Sequence, residues 1–110
     1  MTRIKICGIT RVVDALAAAR SGADAIGLVF YEPSPRYVSI ELAKQLADSI
    51  PPFVTAVGLF VNVDAALVRE VLAQVRLDML QFHGDESPEY CAQFSKPYIK
   101  AIRVKAGVDL

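Results

Sequence analysis

Five short apolar runs, at 4–7, 25–30, 54–61, 77–82 and 98–104, return at intervals of about 21 to 29 residues, the size of a strand–helix repeat. They are rich in Val, Ile, Leu and Phe, and most show little strict alternation. That is the pattern of parallel strands buried on both faces. Amphipathic stretches lie between them. Thr10 is placed to cap the first, which is expected to run to about Ser21 and stop at Gly22. Ser39 is placed to cap the second, with Leu42, Leu46 and Ile50 one turn apart and Pro51-Pro52 ending it. Asp64 is placed to cap the third, which carries Leu67, Val68, Val71, Leu72 and Val75 on one face. Ser87-Pro88 opens the fourth, with proline at the first helical position.

Two architectures accept such a series, an open doubly wound sheet and an eight-stranded barrel. The first strand–helix turn reads CGIT and lacks GxGxxG, which disfavours the dinucleotide-binding sheet. The fold expected is α/β, with parallel (β/α) units forming an incomplete TIM (β/α)8 barrel. A whole barrel needs roughly 200 residues or more. Residues 1–110 are therefore read as the N-terminal part of a single (β/α)8-barrel domain, with no Gly- or Ser-rich linker inside it.

Composition excludes several function classes. The formal net charge is zero and Lys and Arg form no cluster, so no field attracts nucleic acid or an anionic membrane. With 54% apolar and 22% charged residues the chain has the means to build a core. No apolar run approaches the roughly 20 residues of a membrane span, and MTRIKICGIT has no secretory h-region. A cytoplasmic location is expected, with Cys7 and Cys91 as free thiols. One histidine and no CxxC leave no self-contained zinc site, so no metal is expected.

In either architecture the working end is the C-terminal end of the strands. Cys7 ends the first run. Alternation puts Arg3, Lys5 and Cys7 on one face and Ile4 and Ile6 on the other, so in a barrel Cys7 looks into the mouth. A thiol there can act as nucleophile or base once a nearby cation or helix N-terminus favours its thiolate, and otherwise serves as a small buried hydrophobe. Arg36 lies in the proline-stiffened loop FYEPSPRYVS, where a guanidinium suits a carboxylate or phosphate; a solvated surface arginine is the alternative. Gln81 and His83 end the fourth run in LQFHGDE and share parity, so both point the same way and can orient a ligand by hydrogen bonds. A lone histidine otherwise serves as a hydrogen-bonded structural residue. Asn62 is read as a cap or turn residue, Asp85 and Glu86 as solvent-facing or capping, and Cys91 as core filling. Arg103, near the end of the fifth run, is placed to aim at the same mouth.

These strand-end segments together resemble the phosphoribosylanthranilate isomerase family of tryptophan biosynthesis. The pieces are KICGIT at 5–10, GADAIGLVFYEPSPRYVS at 22–39, VGLFVN at 57–62, LDMLQFHGDE at 77–86 and KAIRV at 100–104. The combination of KICGIT, SPR and Q-x-HG is specific, where each piece alone is weak. The resemblance implies a (β/α)8 barrel and an Amadori rearrangement of N-(5-phosphoribosyl)anthranilate to 1-(2-carboxyphenylamino)-1-deoxyribulose 5-phosphate, without metal or organic cofactor. It implies that Cys7 is the general base that removes the C2 proton of the ribose. It implies that Arg36 binds the anthranilate end, and that Gln81 and His83 belong to the fourth-strand motif at the mouth. The family's general acid is an aspartate ending the sixth strand, and its phosphate site uses glycine-rich loops after strands seven and eight. No Asp or Glu of this chain matches that acid, since Asp109 precedes its place. The partner expected is a small phosphosugar–anthranilate substrate.

Two further readings stand beside this one. An unclosed sheet leaves unpaired edges and apolar surface, so the chain alone is expected to be a catalytically silent half-barrel that self-associates. The barrels of indole-glycerol phosphate synthase and tryptophan synthase α are neighbouring possibilities whose acid/base carboxylates do not correspond to KICGIT.

Overall fold

Residues 4–100 are described by a computed structural model. Arg3, Arg103 and Asp109 lie outside the described residues, as does the end of the fifth apolar run. Strands and helices alternate without exception: β1 (Lys5–Cys7), α1 (Val12–Arg20), β2 (Ala25–Val29), α2 (Ile40–Ser49), β3 (Thr55–Phe60), α3 (Ala65–Gln74), β4 (Met79–Phe82), α4 (Pro88–Ala92) and β5 (Tyr98–Lys100). The five strands form one sheet in sequence order, and every neighbouring pair is parallel. All five apolar runs thus contribute a strand, and all four amphipathic stretches a helix.

Register aligns residues of the same parity across the sheet. Cys7 stands beside Gly27, Gly27 beside Val57 and Val57 beside Met79. One row further along, Val29, Leu59, Gln81 and Ile99 follow one another. The even-numbered strand residues Ile26, Leu28, Ala56, Phe60, Leu80 and Phe82 are buried with Ala15, Ala43, Leu46, Val68, Val71 and Cys91 of the helices. The core therefore lies between the helices and one face of the sheet. Cys91, in the fourth helix, fills part of it as expected.

A row of rings holds the C-terminal ends of the central strands together. Phe30 stacks on Phe60 at 5.2 Å, and Phe60 meets Phe82 at 6.1 Å. Phe82 also touches Tyr90, Phe94 and Tyr98. Such pairs add about 0.5–1.5 kcal/mol each beyond the area they bury.

The odd-numbered residues face the other way. Lys5, Ala25, Thr55, Val57, Met79 and Ile99, drawn from all five strands, line a common recess of about 220 Å³. No helix covers this face among the described residues, and Ile99 remains 45% exposed.

The caps only partly follow expectation. Ser39 Oγ accepts from Leu42 N–H at 3.1 Å, and Ser87 Oγ from Tyr90 N–H at 3.1 Å. Thr10 does not cap α1. Arg11 holds the N-cap position, with extended backbone and no side-chain cap bond. The physical reason lies upstream: Gly8 and Ile9 still donate to Gly27 O, so the chain stays tied to β2 and turns into the helix one residue later. Asp64 stands at the N-cap of α3, but its carboxylate makes no cap bond.

Candidate active site at the strand ends

Three of the four side chains singled out in the sequence reach one recess. It has a volume of about 270 Å³ and is lined by Cys7, Gly8, Val29, Tyr31, Ser34, Arg36, Leu59, Val61 and His83. Each arrives from a different segment. Cys7 ends β1 and is exposed. His83 follows β4, and its N–H donates to Phe60 O at 2.9 Å, which extends the strand pairing by one step.

Arg36 is set by the loop between β2 and α2. That loop is folded on itself: Ser34 N–H donates to Tyr31 O, Tyr37 N–H to Ser34 O, and Arg36 N–H to Ser34 Oγ at 3.1 Å. Val38 N–H returns to Val29 O, which closes the loop back onto β2. The arginine's stem lies on Gly8, where a Cβ would stand 2.3 Å from Arg36 Cδ. Gly8 has φ +83, a backbone state that glycine adopts without strain. The guanidinium and the thiol thus share a recess because a glycine separates the cysteine from the turn.

Gln81 is not among the residues lining this recess. It lies on the same face one row inward, where its Oε1 accepts from Lys5 Nζ. Its amide NH2 is then the end left to donate. Parity puts Lys5 on the face of Cys7, and there its ammonium holds the Gln81 amide.

Glu86 differs from expectation. Its side chain is only 3% exposed and turns away from solvent. Its carboxylate accepts from Asn62 N–H at 2.9 Å and Gly84 N–H at 2.8 Å, and it lies 3.6 Å from Lys100 Nζ. Lys100 Nζ also donates to Gly84 O. The physical reason is the crowd of donors at the ends of three neighbouring strands, which a buried carboxylate satisfies better than water could. Asn62 is the expected turn residue, with φ +51, and its Oδ1 accepts from Asp85 N–H at 2.8 Å. Together these bonds fix the loop that carries His83.

Burial raises the phenol of Tyr90 above its ordinary value, helped by the negative charges of Glu86 and Asp64. Its hydroxyl donates to Val63 O at 2.5 Å. Burial likewise raises the thiol of Cys91, and Glu86 pushes the same way.

A larger cavity, of about 420 Å³, opens on the helix side of the β2 loop between Phe30, Tyr31, Glu32, Pro33, Tyr37, Ile40, Val61, Val63 and Leu67. Among the described residues it is lined by no cysteine, histidine or arginine; Cys7, Arg36 and His83 meet in the smaller recess. No group of three His, Cys, Asp or Glu side chains is arranged to hold a metal ion among the described residues. No helix among them is long and apolar enough to cross a membrane.

Tyr31 and Ser34 were missed in the sequence. Ser34 carried a signal, since serine before proline in a tight loop often bonds the backbone two residues on. Glu86 carried none beyond its neighbourhood.

The family described as N-(5'phosphoribosyl)anthranilate (PRA) isomerase matches residues 4–110. An N-(5'-phosphoribosyl)anthranilate isomerase of Pseudomonas syringae pv. tomato is 61% identical over 108 residues, covering 98% of this chain and 52% of that protein. One from Stutzerimonas stutzeri is 59% identical over 110 residues, covering 100% of this chain and 53% of its own. Among solved structures, a phosphoribosyl anthranilate isomerase in complex with reduced 1-(o-carboxyphenylamino)-1-deoxyribulose 5-phosphate superposes with TM-score 0.91 at 45% identity, over 96% of this chain and 55% of that one. The isomerase of Thermotoga maritima gives TM-score 0.88 at 45% identity, over 91% and 50%. The chain spans about half the length of the relatives it matches. It belongs to the N-(5'-phosphoribosyl)anthranilate isomerase family.

Proposed function

We propose that this chain supplies the base-bearing face of a site that isomerises N-(5'-phosphoribosyl)anthranilate to 1-(2-carboxyphenylamino)-1-deoxyribulose 5-phosphate. Residues 1–110 then act as the N-terminal part of a single (β/α)8-barrel domain in the cytoplasm, and no cofactor takes part. The observation that carries the reading is the convergence of Cys7, Arg36 and His83 on one recess.

The chemistry divides into an acid step and a base step. An acid protonates the ribose ring oxygen, the ring opens, and C1 becomes a protonated imine. The Cys7 thiolate then takes the C2 proton, and the electron pair moves into a C1–C2 double bond. Loss of the C2 hydroxyl proton and protonation at C1 give the ketone. A positioned base typically contributes about 10²- to 10⁴-fold to such a step. Arg36 offers its planar fork to the anthranilate carboxylate. Val29, Leu59 and Val61 form an apolar wall for the aromatic ring, while His83 and the Gln81 amide donate to oxygens of the sugar. No Asp or Glu is among the described residues that line the recess. The acid therefore comes from outside this set of residues.

The test is complementation in trans. The chain is mixed with the part of the Pseudomonas syringae relative that it does not match, and the loss of phosphoribosylanthranilate fluorescence is followed. Turnover is expected from the mixture and from neither part alone. A mixture in which Arg36→Met leaves KM unchanged overturns the role given to the arginine.

A second reading concerns the chain by itself. β1 and β5 each pair with a single strand among the described residues. Ile4 just before β1, Ile6 on it, and Tyr98 and Ile99 on β5 are 48%, 39%, 40% and 45% exposed. Unpaired strand edges beside apolar side chains favour pairing with another copy. Light scattering is expected to give more than the 12.0 kDa of one chain, and a stable monomer at micromolar concentration contradicts it.

A further inference from the structure

We propose that Gly27 is a positioning residue for the Cys7 thiol, its missing side chain being the space the thiol occupies. The two residues are register partners across β1 and β2, on the open face of the sheet. A Cβ on Gly27 would stand 2.9 Å from Cys7 Sγ, 3.3 Å from its Cα and 3.4 Å from its Cβ. The first distance is too short for any side chain to share. Gly27 is not among the glycines with positive φ, so its backbone would accept any residue; the close approach of Cys7, tightest at the thiol, is what requires glycine there.

The strand end is also pinned to this glycine. Gly27 O accepts from Gly8 N–H at 3.0 Å and from Ile9 N–H at 3.3 Å. β1 thus cannot move away from β2 at this point without losing both bonds. With the backbone held, a methyl group at position 27 must displace the thiol. Gly8 makes room for Arg36 on the other side, as described above. Two glycines therefore decide where the base and the cation sit, one by giving up its side chain to sulfur and the other to the arginine stem.

The inference rests on Cys7 being the reacting group, but its test reads the thiol directly and needs no turnover. The 110-residue chain is treated with iodoacetamide across a range of pH, and the Cys7 and Cys91 peptides are quantified by mass. Wild type is compared with Gly27→Ala and with Gly58→Ala. Gly58 is a control in the same sheet: its added Cβ would crowd Leu77 Cδ1 at 2.6 Å and does not approach the thiol. In Gly27→Ala the thiol is displaced, and the Cys7 rate is expected to change at least about five-fold, the effect of roughly 1 kcal/mol. In Gly58→Ala the Cys7 rate stays within about twofold of wild type, since crowding on the helix side of the sheet does not reach it. A Cys7 rate in Gly27→Ala within about twofold of wild type overturns the proposal. Should Gly27→Ala fail to fold, the pair Cys7→Ala and Cys7→Ala/Gly27→Ala decides. With the sulfur gone the second alanine is expected to be tolerated, with closely similar denaturation midpoints. An equal loss with and without the thiol overturns the proposal. Turnover of Cys7→Ala in the complemented enzyme judges the base role separately.

Discussion

The two faces of this sheet are written in alternate letters of the same strands, and they obey different rules. Even-numbered residues of the central strands β2, β3 and β4 face the helices and are closed: Ile26, Leu28, Phe60, Leu80 and Phe82 have no exposed surface. Odd-numbered residues face the open side, and they are a mixture of small, polar and apolar types around two recesses. The first set was chosen to fill space and the second to leave it. Stability and chemistry are thereby separated by a period of two. A substitution should disturb one or the other according to its parity.

Gln81 and Phe82 are neighbours in β4 on opposite faces, and they offer the largest contrast. Phe82→Ala removes the ring that meets Phe60, Tyr90, Phe94 and Tyr98. It should cost about 3–5 kcal/mol in denaturant unfolding. Gln81→Ala should stay within about 0.5 kcal/mol of wild type, as expected of a site outside the packed core. Comparable losses at both positions would break the division between the faces.

The loop that carries His83 belongs to neither face and comes next in size. Glu86→Ala leaves the N–H groups of Asn62 and Gly84 without their acceptor and removes the charge beside Lys100. Lys100 is 31% exposed, so its part is discounted for solvent screening, and the total is expected at about 2 kcal/mol. Urea titration of Glu86→Ala against Glu86→Gln checks it, the amide being expected to retain part of the loss. The helix caps are smaller again. Ser39→Ala should cost about 1 kcal/mol, whereas Thr10→Ala should cost less, because only Ser39 bonds a helix N–H.

The smallest effect appears in alkali. The folded-state values of Tyr90 and Cys91 are raised above 10.0 and 9.0, so folding favours the protonated forms. Their contribution is fully present below those ordinary values and is lost as pH rises through the raised ones. The unfolding midpoint should therefore decline above about pH 9, and Cys91→Ala should flatten the first part of that decline. A midpoint that stays level to pH 11 would contradict the burial assigned to both groups.

Much of this division was legible in the amino-acid sequence, because parity and strand order are local properties. Ile4 and Ile6 against Lys5 and Cys7, or Leu80 and Phe82 against Gln81 and His83, needed only alternation. Ser39 and Ser87 were legible as caps for the same reason. Contacts that depend on strand register were not. Nothing near Gly27 says that it will lie beside Cys7, and nothing near Glu86 says that Asn62 and Lys100 will surround it. Thr10 misled because its helix start is decided by bonds that Gly8 and Ile9 make to another strand. The recess itself was legible only as three residues at strand ends; that a loop serine and a glycine would bring Arg36 to the thiol was not.

The two cysteines give the most direct measurement, since one lies on each side of the sheet. Cys7→Ala and Cys91→Ala are compared in the complemented enzyme, with turnover and unfolding measured on the same samples. The account predicts that Cys7→Ala lowers kcat by about 10²- to 10⁴-fold and hardly moves the unfolding midpoint. Cys91→Ala should lower the midpoint and leave kcat per folded molecule unchanged. A Cys7→Ala enzyme that keeps its kcat would contradict the central claim.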